Sequence, residues 1–181
     1  LGKLIHDKRR VFMDRFLPIF QEHFNFISGG AELVSIDYCS QLNDNDFGAV
    51  LAEAVEKDRI VQYSTVGIHK DDLVFKIENY PIKKFGSQGQ KKSFVIALKL
   101  AQFDFIKTIK ECTPILLLDD IFAKLDPSRV QKLLLKVSGA DFGQIFITHT
   151  HKERIKEILK SISLNYKMFN INNGSVSLDK M

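Results

Sequence analysis

Apolar residues recur at helical spacing from the start of the chain. Ile5, Phe12, Phe16, Ile19, Phe20, Phe24 and Ile27 predict one helix over residues 4–27, kinked at Pro18 and ended by Gly29-Gly30. The period then shortens. "AELVSIDYCSQL" alternates as a strand does. Asp46 stands where it can cap a second helix through Val50, Leu51, Ala54 and Val55. Leu73–Ile77 and Tyr80–Phe85 read as a hairpin around Glu78-Asn79.

After Phe85 the texture changes. A helix from Ser87 to about Thr108 carries Phe94, Leu98, Ala101 and Phe105 on one face. "PILLLDD" is a continuous apolar run ended by two acids, the pattern of a strand buried on both sheet faces. Asp126-Pro127 opens a helix whose inner face is Val130, Leu133, Leu134 and Val137. "QIFIT" predicts a second short strand, "HKERIKEILKSI" a helix, and "YKMFNINNGSVSL" a hairpin turning at Asn173-Gly174. Strand and helix in alternation predict an α/β fold over residues 67–181, with a mostly parallel sheet and flanking helices. Residues 1–66 are expected to form a separate helical arm with a short strand segment, the boundary lying near Gly67.

The 181 residues, 45% of them hydrophobic, suffice for one domain with a real core. No apolar run reaches the length of a membrane span, and the basic opening "LGKLIHDKRR" is not a secretory leader. A cytoplasmic chain with no membrane partner is expected. Cys39 and Cys112 are far apart and read as reduced thiols. The net charge of +4 permits a nucleic-acid partner without requiring one.

Three stretches carry candidate chemistry. Ser87-Gln88-Gly89-Gln90 fits a capping box, which satisfies the first backbone donors of a helix. Gly89 costs such a helix about 1 kcal/mol relative to alanine. It also bares N–H groups to an anion at the positive end of the helix dipole. Asp119 and Asp120 end the first apolar strand, and ligands of open α/β sheets bind outside the carboxyl ends of strands. One acid suits a hydrated Mg²⁺ and the other an aligned water. Thr148-His149 ends the next strand, where His149 could reach the same phosphate; His151 competes for that role.

The order of these stretches resembles that of the ATP-binding-cassette ATPases: signature, Walker B strand, D-loop, H-loop. "SQGQ", with "ALKLA" behind it and "ILLLDD" following, resembles the RecF family of bacterial recombination mediators. "GIHKDDLVF" is similar to the family stretch G-P-H-R-D-D-L, but Ile68 replaces its proline and Lys70 its arginine, and no role is assigned to it. "LGKLIHDKRRVF" resembles the helix of the family's second domain. The resemblance covers nearly the whole chain and is closest over 67–150.

The resemblance implies that residues 67–181 are the C-terminal lobe of an ABC-type P-loop ATPase head. It implies that Ser87, Gln88, Gly89 and Gln90 meet the γ-phosphate of ATP held by a partner subunit. Asp119 would bind Mg²⁺, and Asp120 would be the general base, where glutamate is commoner. Ala123-Lys124-Leu125-Asp126 would be the D-loop, with Asp126 at the dimer interface, and His149 the phosphate sensor. No G-x-x-x-x-G-K-[ST] occurs in the sequence, so the chain is expected to be a C-terminal half, without ATPase activity alone. The full-length protein is expected to bind ATP and DNA, at gaps or single-strand/double-strand junctions and mostly through phosphates. It is also expected to dimerise with ATP, to meet other recombination mediator proteins, and to promote recombinase loading. Two rival readings are another chromosome-maintenance ATPase of the SMC type, against which the lack of heptads in 1–66 counts, and a non-catalytic DNA- or partner-binding module.

Overall fold

The structure is a computed structural model and describes residues 1–30, 32–120, 125–162 and 165–179. Helix α1, Gly2–Ser28, runs unbroken through Pro18. It ends where Gly29 turns left-handed at φ 83°, which lets the N–H groups of Gly29 and Gly30 return to the Asn25 carbonyl. Its apolar stripe of Met13, Phe16, Phe20, Phe24 and Ile27 is buried. That stripe lies against α4, Gln88–Lys110, whose Phe94, Ala97, Leu100 and Ala101 are buried. Phe94 is the centre of this contact. Its ring is 4.7 Å from Phe20, 6.1 Å from Phe24 and 5.5 Å from Phe75, centroid to centroid. Such aromatic pairs add about 0.5–1.5 kcal/mol each beyond the area they bury.

Strand β1, Val34–Cys39, pairs antiparallel with β2, Asp72–Ile77, from Val34↔Ile77 to Cys39↔Asp72. The expected hairpin follows, with Glu78 and Asn79 both at positive φ in its turn. Its second strand, β3, is only Tyr80–Pro81. Residues Ile82–Phe85 form a single helical turn, α3, instead of the rest of the strand. Pro81 has no N–H to continue the ladder, so the strand stops there. Asp46 caps α2, Phe47–Val61, by accepting from the N–H groups of Gly48 and Ala49.

The division expected at Gly67 does not separate two cores. β1 lies before it and β2 after it, and α1 packs on α4. The "GIHKDDL" stretch is part of this junction. Asp71, its side chain 4% exposed, accepts from Arg9 Nη1 at 2.6 Å and from the Tyr38 hydroxyl. Arg9 also donates to the Ile68 carbonyl at 2.7 Å. Burial pushes the Asp71 carboxyl pKa upward, but hydrogen bonding by Tyr38, Ser40 and Arg9 outweighs it and holds it below its ordinary value. Asp71 thus pins α1 to the sheet.

Strand β4, Leu116–Asp119, runs parallel to β5, Ile145–Thr148, in the register Leu116↔Ile145 to Asp119↔Thr148. Among the described residues this is the parallel pairing; the other two sheets are antiparallel. The expectation that β4 is buried on both faces is corrected. Leu116 and Leu118 are buried, while Leu117 is 70% exposed and its neighbour Phe146 on β5 is 50% exposed. One face of this sheet joins the buried core, and within the described residues the other face is open. Helix α5, Pro127–Val137, buries Val130, Leu133, Leu134 and Val137, the four residues expected of it. Helix α6, Lys152–Ser161, precedes the hairpin β6, Phe169–Asn172, and β7, Ser175–Leu178, which turns at Asn173-Gly174. Asp179 ties the hairpin to α6 through Lys152 Nζ at 2.6 Å and Lys156 Nζ at 2.8 Å. Among the described residues, no helix is long and apolar enough to cross a membrane.

Candidate nucleotide site

Parallel register brings the acids and the histidine together. Asp119 and Thr148 are paired residues at the carboxyl ends of β4 and β5, so Asp120 and His149 leave the sheet side by side. The Thr148 hydroxyl donates to Asp119 Oδ1 and accepts from the Asp120 N–H at 3.3 Å. His149 Nδ1 lies 3.4 Å from Asp120 Oδ1. His151 packs edge-on against His149, 5.5 Å between centroids. Asp120 has a left-handed backbone, φ 43°, so the chain bends sharply at the end of the strand. Lys92 Nζ, from α4, donates to the Asp120 carbonyl at 3.0 Å and braces that bend.

The start of α4 is a complete capping box. Ser87 Oγ accepts from the Gln90 N–H at 3.2 Å, and Gln90 Oε1 accepts from the Ser87 N–H at 2.8 Å. Both Ser87 and Gln88 remain exposed, and Gly89 and Gln90 are half-buried. Gly86 is dictated by space: a Cβ there would come within 2.8 Å of the Ile82 carbonyl oxygen. The bare backbone before α4 therefore lets α3 and α4 meet closely. The capping reading of "SQGQ" is realised, and it leaves the Ser87 side chain on the surface.

Asp126 caps α5 by accepting from the Arg129 N–H at 3.0 Å. Leu125 is buried. Ala123 and Lys124, the first two residues of the expected D-loop, lie outside the described residues.

Between α4 and the open face of β4 runs a groove of about 740 Å³, with Gln88, Lys91, Lys92, Val95, Leu117 and Asp119 among its walls. Among the described residues no three His, Cys, Asp or Glu side chains gather to hold a metal by themselves. A cation at Asp119 would take its other oxygens from outside these side chains, water and phosphate among them. Mg²⁺ is commonly held in that way.

Three participants were not singled out in the sequence: Lys92, Glu32 and Arg129. Lys92 follows another lysine on a solvated helix, and only the fold shows that it reaches Asp120. Glu32 and Arg129 are 97 residues apart and meet at 3.1 Å. The spacing of Arg129 from Asp126 is that of an ordinary helix pair.

The fold and the arrangement of these elements define the C-terminal lobe of an ABC-type ATPase head. Solved structures of SMC ATPases described by ATP-driven dimerisation share the fold, with a TM-score of 0.55 at 16% identity over 95% of this chain and 88% of theirs. More particularly, the chain matches the C-terminal half of RecF. Proteins named DNA replication and repair protein RecF are 52% identical over 170 residues in Flavobacterium johnsoniae and 46% identical over 176 residues in Bacteroides thetaiotaomicron. These alignments cover 94% and 97% of this chain but 47% and 48% of the relatives, so the chain spans about half their length. The structure of the recombination mediator RecF with ATPγS superposes with a TM-score of 0.71 at 25% identity, over 98% of this chain and 47% of that one. RecF with ATP superposes equally well at 22% identity. No family profile matches the sequence.

Proposed function

We propose that this chain is the signature-bearing lobe of a RecF-type DNA replication and repair ATPase, and that it contributes to two different nucleotide sites. In its own subunit's site, Asp119 holds Mg²⁺ and Asp120 aligns the attacking water. His149 contacts the γ-phosphate. Mg²⁺, when bound there, would supply positive charge against the phosphates. In the partner's site, Ser87 and Gln90 meet the γ-phosphate from the opposite side, with the α4 N-terminus supplying N–H groups. Asp126 lies along the interface between subunits.

The observation that carries this reading is the parallel register Asp119↔Thr148, which sets two carboxylates and a histidine at one edge of one sheet. The loop that cradles the β-phosphate is not in the sequence, so nucleotide hydrolysis is assigned to the full-length protein. The open apolar face of β4 and β5 is assigned as the surface on which the remainder of the head packs. DNA engagement through phosphates, at gaps or junctions, and help in recombinase loading are proposed on the likeness to RecF, and the net charge of +4 is compatible with a nucleic-acid partner.

Full-length Asp120→Asn tests the proposal. It is expected to bind ATP, form the ATP-bound dimer and release no phosphate. Hydrolysis at the wild-type rate would remove Asp120 from the catalytic role.

A further inference from the structure

The capping-box glutamine has a second partner outside its own helix. Gln90 Nε2 donates to Glu32 Oε1 at 3.0 Å. The same oxygen accepts from Arg129 Nη2 at 3.1 Å. Arg129 Nη1 donates to Ser93 Oγ at 2.9 Å, and its Nε lies 3.2 Å from Asp126 Oδ2. With the capping bonds at either end, an unbroken chain runs Ser87–Gln90–Glu32–Arg129–Asp126, from the N-cap of α4 to the N-cap of α5.

Only an arginine can close this chain. Its planar fork presents N–H groups in several fixed directions, and here three of them serve three different segments. The surroundings make the closure obligatory. Ser93 is fully buried, and the side chains of Glu32 and Arg129 are 16% and 18% exposed. The second oxygen of Glu32 is buried with no hydrogen-bond partner among the described residues. A carboxylate so placed is tolerated only while a cation neutralises it.

We infer that Arg129 is a positioning residue that locks the signature turn and the D-loop end into one rigid unit, so that Ser87 and Asp126 are presented together to a partner subunit. The inference rests on the reading of those two residues as interface groups. Arg129 touches neither nucleotide nor reacting atoms in that reading. Without the lock, the two helix starts are ordered separately when the partner docks, and that ordering weakens association. Binding of ATP to the monomer does not use the lock.

The test uses the full-length protein, with Ser87→Arg as a control. Sedimentation with and without ATP reads dimerisation, labelled ATP at low protein concentration reads monomer binding, and melting without nucleotide reads the fold. Arg129→Gln is expected to weaken ATP-dependent dimerisation about tenfold or more, the range of ordinary coupling between sites, with monomer ATP affinity unchanged. Arg129→Lys keeps the charge but cannot reach three acceptors, and is expected to remain defective. Glu32→Gln acts in the same direction, and the double variant is no weaker than Arg129→Gln alone. Full rescue by lysine overturns the inference. So does wild-type dimerisation of Arg129→Gln when Ser87→Arg fails to dimerise, and the proposed function then stands. If Ser87→Arg itself dimerises normally, the reading of the signature surface falls, and the lock with it. Should Arg129→Gln not fold, Ser93→Ala and Glu32→Gln replace it, and unchanged dimerisation in both overturns the lock.

Discussion

Thr148 holds both acids of the candidate site with one hydroxyl: it donates to the Asp119 carboxylate and accepts from the Asp120 backbone N–H. Strand register makes this possible, because Asp119 and Thr148 are directly paired. Thr148→Val keeps the shape of the side chain and removes both bonds. It is expected to destabilise the chain by about 1–3 kcal/mol, the usual net worth of two hydrogen bonds. Hydrolysis by the full-length protein is expected to fall further than that of Thr148→Ser, which retains the hydroxyl. Urea unfolding and phosphate release are the two measurements; equal rates for valine and serine would detach Thr148 from the acids' function.

Ser87 separates capping from contact with a second subunit. Ser87→Ala breaks the capping box and is expected to cost about 1 kcal/mol of stability. Ser87→Arg places a bulky cation on the exposed start of α4. The full-length variant is expected to bind ATP as a monomer and to lose ATP-dependent dimerisation and hydrolysis. Light scattering with and without ATP decides it: normal dimerisation leaves "SQGQ" as a cap alone.

The open face of β4 and β5 predicts opposite outcomes for adjacent leucines. Leu118 is 5% exposed and Leu117 is 70% exposed. In the 181-residue chain, Leu118→Ala is expected to cost about 2–5 kcal/mol. Leu117→Ala is expected to stay within about 0.5 kcal/mol. In the full-length protein, Leu117→Ala should become costly, because the remainder of the head covers that face in our proposal. Urea midpoints for the three variants against their two parent proteins check this, and a harmless Leu117→Ala in the full-length protein would contradict the covering.

His23 gives the fold an acid-sensitive joint. It is 1% exposed at the α1–α4 contact, with Nε2 2.7 Å from Asp104 Oδ2 and Nδ1 without a hydrogen-bond partner among the described residues. Burial lowers its pKa below the ordinary 6.5, and the bond to Asp104 offsets this only in part. The unfolded chain therefore binds the proton first. The contribution of His23 to stability is complete above pH 6.5 and is lost as pH falls from there through the lowered value. Carboxyls whose pKa is depressed, Asp71 and Glu22 among them, act in a more acidic window. His23→Gln should flatten the fall in melting temperature between pH 7.5 and pH 5.5; an unaltered slope would place that sensitivity elsewhere.

What the sequence disclosed was local. The inner face of α5, the Asp46 and Ser87 caps, the glycine ending α1 and the Asn173-Gly174 turn each depend on residues within a few positions, and all are found where expected. Asp119, Asp120 and His149 were legible because a strand's end can be read from where an apolar run stops. What remained hidden depends on long separation. Phe20 on Phe94 joins α1 to α4, and Asp71 pins α1 to the sheet, so the boundary placed at Gly67 crosses a shared core. Burial of β4 on one face was hidden for another reason. A strand meant to be covered on both sides has the same composition whether or not its cover is present.

The bend at Asp120 biases which acid stands there. Its φ of 43° lies in a region that aspartate and asparagine enter far more readily than longer side chains, since their short polar groups bond to nearby backbone. Glutamate, which often occupies the corresponding place in ABC ATPases, would have to sit in the same left-handed turn. The turn thereby favours aspartate or asparagine here without barring a longer acid, since Glu78 and Glu111 hold φ of 48° and 50° in the same chain. In our proposal the carboxylate aligns water and the amide does not, so switching hydrolysis off at this position needs no change in backbone shape.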